Sequence, residues 1–591
     1  MTDSSYPVYG IILIQKGMIQ DIILLESSLS ISQAMSKFSQ WHILDYSDYY
    51  ISPGLIDLNC RKEWESYSTM TKAALSGGTT FILEEPSFYN QNNDQSELYC
   101  DIGSVKIVTD LNIDSQDDNC LAYKAYLFQP CANIQSLSNV DMLLQVADIK
   151  KMPVFIDPNL PDPRMLFMAS PLRLEKAQDH KDKEVINTGK AFAAAFADGE
   201  SDEGSEEKEH PEAIRTVSLL EDEIETFKSP SDRISLENIA FLRLSDTSKR
   251  SSGLEEPIVV EEIKVDMKNK RKGSHTIYDD LDMRIKENQK NIEVLCMAEA
   301  NTYLGAGSTS FSGKSEREKP ASRRRPPGLS INTAPKTSFT MDYTFFLANC
   351  PETWELQGIQ GVLQKIHSKT HVHFQNISSA VGINAIRQRS ETHKNISCEI
   401  PAPHLFFNTQ SIGKTDTRFK SFPPFRSASN FNLLWDLLKM RAITSISSQH
   451  VLIEPGHKAL DTGSFQNALN GVCSIGLGLQ AVWSTINIPI TKTEQLEHYL
   501  VRISKWFSLH PAKILGLENR GSISKGKYAD LIIWNPYCRT ETEVCLEYQQ
   551  VCPFVGKEMF GRIEKVYVRG NLAYDSGKFN SCGIRVIDKS S

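Results

Sequence analysis

The sequence has no uninterrupted apolar run of the ~20 residues that a bilayer-spanning helix needs. Its longest apolar stretches, such as Val472 to Trp483, are broken by Gly, Ser and Gln, so no membrane span is expected. An excess of positive charge is also missing, since 64 Lys plus Arg stand against 73 Asp plus Glu, a net charge of -9. A dedicated nucleic-acid binder needs a basic face for its phosphate contacts, so no nucleic-acid partner is expected. The first residues, MTDSSYPVYGIILIQKG, lack a charged start followed by an apolar run and a small-residue cleavage site. That leads to the expectation of a cytoplasmic protein. The 12 cysteines contain no CxxC pair and no dense framework, and read as packed thiols of a reducing compartment.

What is present is globular. Hydrophobic residues make up 40% and charged residues 23% of 591, enough for a sizeable core and more than one domain. Residues 1–50 carry short apolar runs, Ile11 to Ile14 and Ile22 to Leu25, broken by Gly and polar pairs, which predicts hairpin strands. From residue 51 to about 165 the texture changes to apolar strand, glycine turn and helical stretch, as in repeated βα units with parallel strands. Residues 166–340 differ again, with 59 charged residues in 175 against 78 in the other 416. SDEGSEEKEHPE, KNKRKGSH and SRRRPPGLS cannot bury enough apolar surface to offset ordering entropy, so this insertion is expected to be largely disordered. Helical spacing is confined to Ile214–Phe227 and Tyr278–Tyr303. Basic residues precede Ser274 and Ser330, the pattern that basophilic kinases prefer. The βα texture resumes over 341–520, and residues 521–591 return to alternating strands.

The sequence ISPGLID over 51–57 and AALSGGTT over 73–80 resemble the opening of the cyclic amidohydrolases, the group of dihydroorotases, hydantoinases and allantoinases. The closing segments HPAKILGL (510–517) and GSISKGKYADL (521–531) agree. Allantoinase is the most similar of the group through DYTFFLA (342–348), FKSFPPFR (419–426) and NGVCSIGL (470–477). The resemblance implies an α/β fold: a (β/α)8 TIM-type barrel with a small β-sandwich built from both termini, and a site at the C-terminal strand ends. It further implies two zinc ions bridged by a carboxylated lysine and held by four imidazoles and a carboxylate, with bound hydroxide attacking a cyclic amide.

At those positions this sequence departs from the family. Asn59 and Arg61 stand where His-x-His is expected, Asp157 and Asn376 each replace a His, and Gln449 replaces the final Asp. Lys124 alone is kept. Arg61 offers a cation where the ions are lost, which predicts an Arg61–Asp157 ion pair ringed by Asn59, Asn376 and Gln449. Lys124 is expected to be an ordinary amine in the same polar network. No cofactor is expected on this basis. If a metal site has been rebuilt, Asp157, His373, His404 and His450 are its candidates. Two functions follow. One is a lapsed allantoinase-like protein that acts as a binding or assembly module, as in the collapsin-response mediators, relatives of hydantoinases that lack the ligands. The other is an active hydrolase opening a cyclic ureide such as allantoin in purine catabolism. The resemblance also implies a homodimer or homotetramer, and the first reading implies protein partners.

Overall fold

The computed structural model describes residues 7–25, 40–89, 94–110, 119–128, 137–160, 242–243, 283–286, 342–367, 369–487, 493–540 and 548–587, with a few isolated positions. Strands β1 (Tyr9–Gln15) and β2 (Met18–Leu25) pair antiparallel. Lys16 and Gly17, both at positive φ, make the two-residue turn whose twist suits a hairpin. The buried Ile19 and Ile22 of β2 pack on Ile51, Leu531 and Ile533. This hairpin thus covers a second sheet that contains β3 (Tyr50–Pro53).

The barrel starts at β4 (Leu55–Arg61) and continues through β5 (Thr79–Glu85), β6 (Asp101–Ile107), β7 (Ala122–Tyr126) and β8 (Val154–Asp157). A short strand, β9 (Leu242–Arg243), pairs with β3 at the edge of the other sheet. The barrel resumes with β10 (Val372–Phe374), β11 (Ile396–Pro401), β12 (Ser445–Ser447) and β13 (His450–Val451). β12 pairs with β11 and β13 with β4, both in parallel, so two pieces of one strand close the ring. Gln449, at φ 52°, makes the bend between them. Most barrel strands are buried along their whole length, as parallel strands covered on both faces must be. Helices Tyr67–Ser76, Val140–Lys150, Glu352–Lys365, Ala380–Ser390 and Ala428–Lys439 supply crossovers between strands.

The Gly77-Gly78 turn has a packing reason beyond its bend. A Cβ on Gly77 would lie 2.0 Å from the carbonyl oxygen of Gly476, and one on Gly476 would lie 2.0 Å from that of Ala73. Only glycines let these backbones approach so closely.

The chain then returns to the terminal sheet with β14 (Leu531–Arg539), β15 (Phe560–Val568), β16 (Asn571–Asp575) and β17 (Lys578–Phe579), ordered β17-β16-β15-β14-β3-β9. The fold is therefore a parallel βα barrel beside a β-sandwich from both chain ends. Two boundaries shift from those expected. Tyr50–Pro53 pairs with β14, so the sandwich extends past residue 50. β18 (Arg585–Val586) pairs in parallel with β6, so the tail joins the barrel and not the sandwich. A buried ionic clamp ties the two units together: Arg520 meets Asp101 of β6 at 2.5 Å and Asp530 at 2.6 Å, and Arg569 also meets Asp101.

Most of residues 166–340, including Ile214–Phe227, Ser274 and Ser330, lies outside the described residues. Within the expected helix Tyr278–Tyr303, residues Met283–Lys286 are described and are helical. Ile285 is buried in the main hydrophobic core and Arg284 pairs with Asp436 at 2.9 Å. Among the described residues no helix is long and apolar enough to cross a membrane.

Candidate functional site

The C-terminal strand ends surround a cleft of about 1010 Å³, its opening included. Asn59, Arg61, Asp157, Asn376, Gln449 and His450 line it, as do Phe88, Tyr126, Phe346 and Phe422. Lys124 is fully buried beside it.

The Lys124 ammonium donates to Glu85 at the end of β5, in very close contact. Tyr126 donates its hydroxyl to the other oxygen of that carboxylate at 2.6 Å. Arg61 lies 3.6 Å from Glu85, 2.8 Å from Glu63, and 3.6 Å above the ring of Phe88. Burial pushes the Glu85 carboxyl up, but Lys124 and Arg61 together hold it below the ordinary carboxylate value. Glu63 also accepts from the Ser87 hydroxyl and the backbone N–H groups of Phe88 and Tyr89.

The expected Arg61–Asp157 pair is therefore corrected: Arg61 is neutralised by Glu63 and Glu85. Strand order gives the reason. Arg61 is registered opposite Glu85 on the adjacent β5, whereas β6 and β7 separate β5 from Asp157 on β8.

Asp157 is held by neutral donors. It accepts from Asn376 Nδ2 at 2.6 Å, and from the backbone and side-chain nitrogens of Asn159 at 3.1 and 2.8 Å. Burial raises its carboxyl above the ordinary value, opposed by Lys124 and these asparagine bonds. Asn59 Nδ2 donates to Asn376 Oδ1 at 2.7 Å and to Glu399 at 2.9 Å. Glu399 also accepts from Ser447 and lies 3.3 Å from His373 Nε2. His373 Nδ1 meets Ser397, which meets His371. One hydrogen-bonded chain thus runs through the barrel interior from His371 to Asp157. Asn376, at φ 56°, has the left-handed backbone that asparagine tolerates.

Gln449 stands apart from this chain and donates to the Phe422 carbonyl at 3.1 Å. His450 has both ring nitrogens engaged: Nδ1 accepts the N–H groups of Ser474 and Ile475, and so Nε2 carries the proton toward Glu65 at 2.6 Å. His404 stacks on Phe425 with ring centroids 4.6 Å apart, and burial and Arg426 push it down to about 3.

These donors do not fit a two-zinc centre. The lysine amine faces a carboxylate, the two asparagines bond each other, and a cation occupies a ligand position. Nor does the structure gather Asp157, His373, His404 and His450 into a replacement set. Among the described residues no group of three or more His, Cys, Asp or Glu side chains converges as metal ligands.

Glu85, Glu63 and Glu399 complete the network and were not singled out from sequence. Glu85 had a legible signal, since it ends the strand that follows Arg61 and sequential parallel strands are neighbours. Lys420 and Lys458 were also missed. Lys420 lines the cleft and donates to the Ala468 carbonyl at 2.6 Å, and burial pushes it down to about 7. Lys458 donates to the carbonyls of Lys420, Leu469 and Gly471, pinning the loop that forms one wall.

Comparison with known proteins agrees with this architecture. The amidohydrolase family matches over residues 482–573. The allantoinase of Arabidopsis thaliana is 28% identical over 256 residues, 41% of this chain and 49% of that protein. The probable allantoinase 2 of Dictyostelium discoideum is 30% identical over 249 residues, 40% of this chain and 47% of that protein. The chain thus spans about half the length of the curated relatives it matches. Among solved structures, the L-hydantoinase (dihydropyrimidinase) from Arthrobacter aurescens superposes with a TM-score of 0.60 at 14% identity, covering 98% of this chain and 97% of that one. The dihydropyrimidinase from Brevibacillus agri gives 0.58 at 14% identity with the same coverage. Likeness at these identities speaks for the fold.

Proposed function

We propose that this chain, a protein of the cyclic amidohydrolase kind and allantoinase-like in sequence, has lost metal-dependent ring opening and acts as a binding or assembly module. The observation that carries this reading is the engagement of Lys124 by Glu85. Carboxylation of a lysine requires a nitrogen free to react, and the Lys124 nitrogen is taken up by its ion pair with a buried carboxylate. The substitutions around it have the same sense. Where the family would hold two dications, Arg61 supplies a fixed positive charge, and Asn59 and Asn376 bridge the remaining acceptors. A network with its cations paired and its remaining carboxylates bonded by amides and a hydroxyl has little to offer an incoming metal.

The open, aromatic-lined cleft supports retention of ligand or partner binding. Protein partners and a homodimer or homotetramer belong to the same proposal, as does a cytoplasmic location.

The test is metal content by mass spectrometry on protein purified without chelator, with allantoin ring opening followed in the same sample. The expected result is no stoichiometric metal and no turnover. About two ions per chain together with turnover would establish the active-hydrolase alternative and end this proposal.

A further inference from the structure

Cys473 and Cys552 lie 79 positions apart in sequence, so no spacing motif joins them, yet they meet in the core. Cys473 follows Val472, which bridges to His450 and lines the cleft. Cys552 follows the short helical turn Gln549–Val551. Its Sγ donates to the Cys473 carbonyl oxygen at 3.5 Å, which brings the two cysteine side chains together. Both belong to the cluster formed around Phe407, Phe419 and Phe554.

Their surroundings differ from those of Cys60, Cys100 and Cys398. Burial pushes Cys60, Cys100 and Cys398 up, which leaves them inert. Cys552 is held below the ordinary thiol value, first by the bond from Cys473 and then, against burial, by the N–H groups of Phe554 and Val555 and the charge of Arg418. Cys473 is raised as the donor in that bond. Two thiols brought together in this way can supply a nucleophile and a resolving partner.

We infer that Cys473 and Cys552 are a modification site, a dithiol that closes reversibly to a disulfide on exposure to a peroxide. The Cys552 thiolate attacks a peroxide oxygen, the O–O bond breaks, and the departing hydroxide takes a proton to leave as water. Cys473 then attacks the resulting sulfenic sulfur, and the second hydroxide leaves as water with the Cys473 proton. Two thiols give up two electrons and two protons, and one peroxide becomes two waters. Hydrogen peroxide, scarcely larger than water, suits a pair this deeply enclosed. The bond would tie the segment after residue 548 to the cleft wall at Val472, linking redox state to the mouth whether or not the site is catalytic.

The test treats the reduced full-length protein, still folded, with equimolar hydrogen peroxide, followed by N-ethylmaleimide, proteolysis and mass spectrometry without reductant. The expected result is a linked peptide pair containing Cys473 and Cys552, the loss of two titratable thiols, and their recovery with dithiothreitol. In Cys473→Ser, Cys552 is expected to stop at a dimedone-trappable sulfenic acid. The proposal is overturned if Cys473 and Cys552 are recovered alkylated while the half-buried Cys538 and Cys582 are oxidised. A linkage of either residue to any other cysteine overturns it too. The wild-type experiment stands alone if the variant does not fold.

Discussion

Glu85 faces two cations, Lys124 and Arg61, and Arg61 has a second ion-pair partner in Glu63. Glu85→Gln takes from the buried Lys124 its ion-pair partner. The expected cost is about 3 kcal/mol, the scale for breaking one side of a buried pair, read from the denaturant midpoint. Adding Lys124→Met is expected to restore part of that loss, and a double-mutant cycle with no coupling would remove the pair from its assigned role. A second buried carboxyl works in the opposite sense. Asp57 is raised to about 6, chiefly by burial, against the bonds it accepts from Ser448 and Asn59. Between about pH 4 and pH 6 the unfolded chain has released a proton that the folded chain still holds. Stability from this group is therefore full below that window and falls as pH rises through it. Both backbone bonds to Asp57 reach the same oxygen, which an amide can keep. Asp57→Asn is thus expected to stabilise by roughly 2 kcal/mol at pH 7.5 relative to pH 4. Equal urea midpoint shifts at the two pH values would show that Asp57 does not titrate in this way.

Among elements, the helix Ala380–Ser390 shows how the barrel aims a site residue. Its N-terminus is held by Glu355, which accepts the N–H groups and hydroxyls of Ser378 and Ser379. A carboxylate against a helix N-terminus also complements the helix dipole. Asn376, two residues earlier, takes its position from that anchor. Glu355→Gln turns an amide donor toward groups that already donate. The expected loss is about 2 kcal/mol by thermal unfolding, larger than for Glu391→Gln at the exposed C-cap of that helix. The elements were largely legible in sequence because βα alternation, Gly77-Gly78 and the strand-end motifs are local signals. Lys124, Asn59 and Asn376 were legible for the same reason, as each sits at a fixed step from a motif. The partner of Arg61 was not, because choosing between Glu85 and Asp157 requires strand order. The roles of Lys458 and Cys552 were further out of reach, since their partners are backbone atoms or thiols many residues away.

For the whole molecule, composition alone makes residues 166–340 an appendage, but two described pieces belong to the body. Leu242–Arg243 extends the terminal sheet at β3, and Met283–Lys286 brings Ile285 into the main core, with Arg284 on Asp436 of the helix Ala428–Lys439. The two contacts fall on different units, the sandwich and the barrel. An insertion anchored in this way contributes to the stability of the fold it interrupts. The ion pair is half exposed and adds little, so Ile285 is the informative position. At 2% exposure, Ile285→Ala is expected to cost about 2–3 kcal/mol, the scale of a core truncation. Arg284→Ala should stay within about 0.5 kcal/mol. Hydrogen exchange in the helix Ala428–Lys439 is expected to quicken in the first variant and not in the second. An Ile285→Ala protein with unchanged midpoint and exchange would mean that the insertion does not dock through this residue and contributes nothing to the barrel at that face.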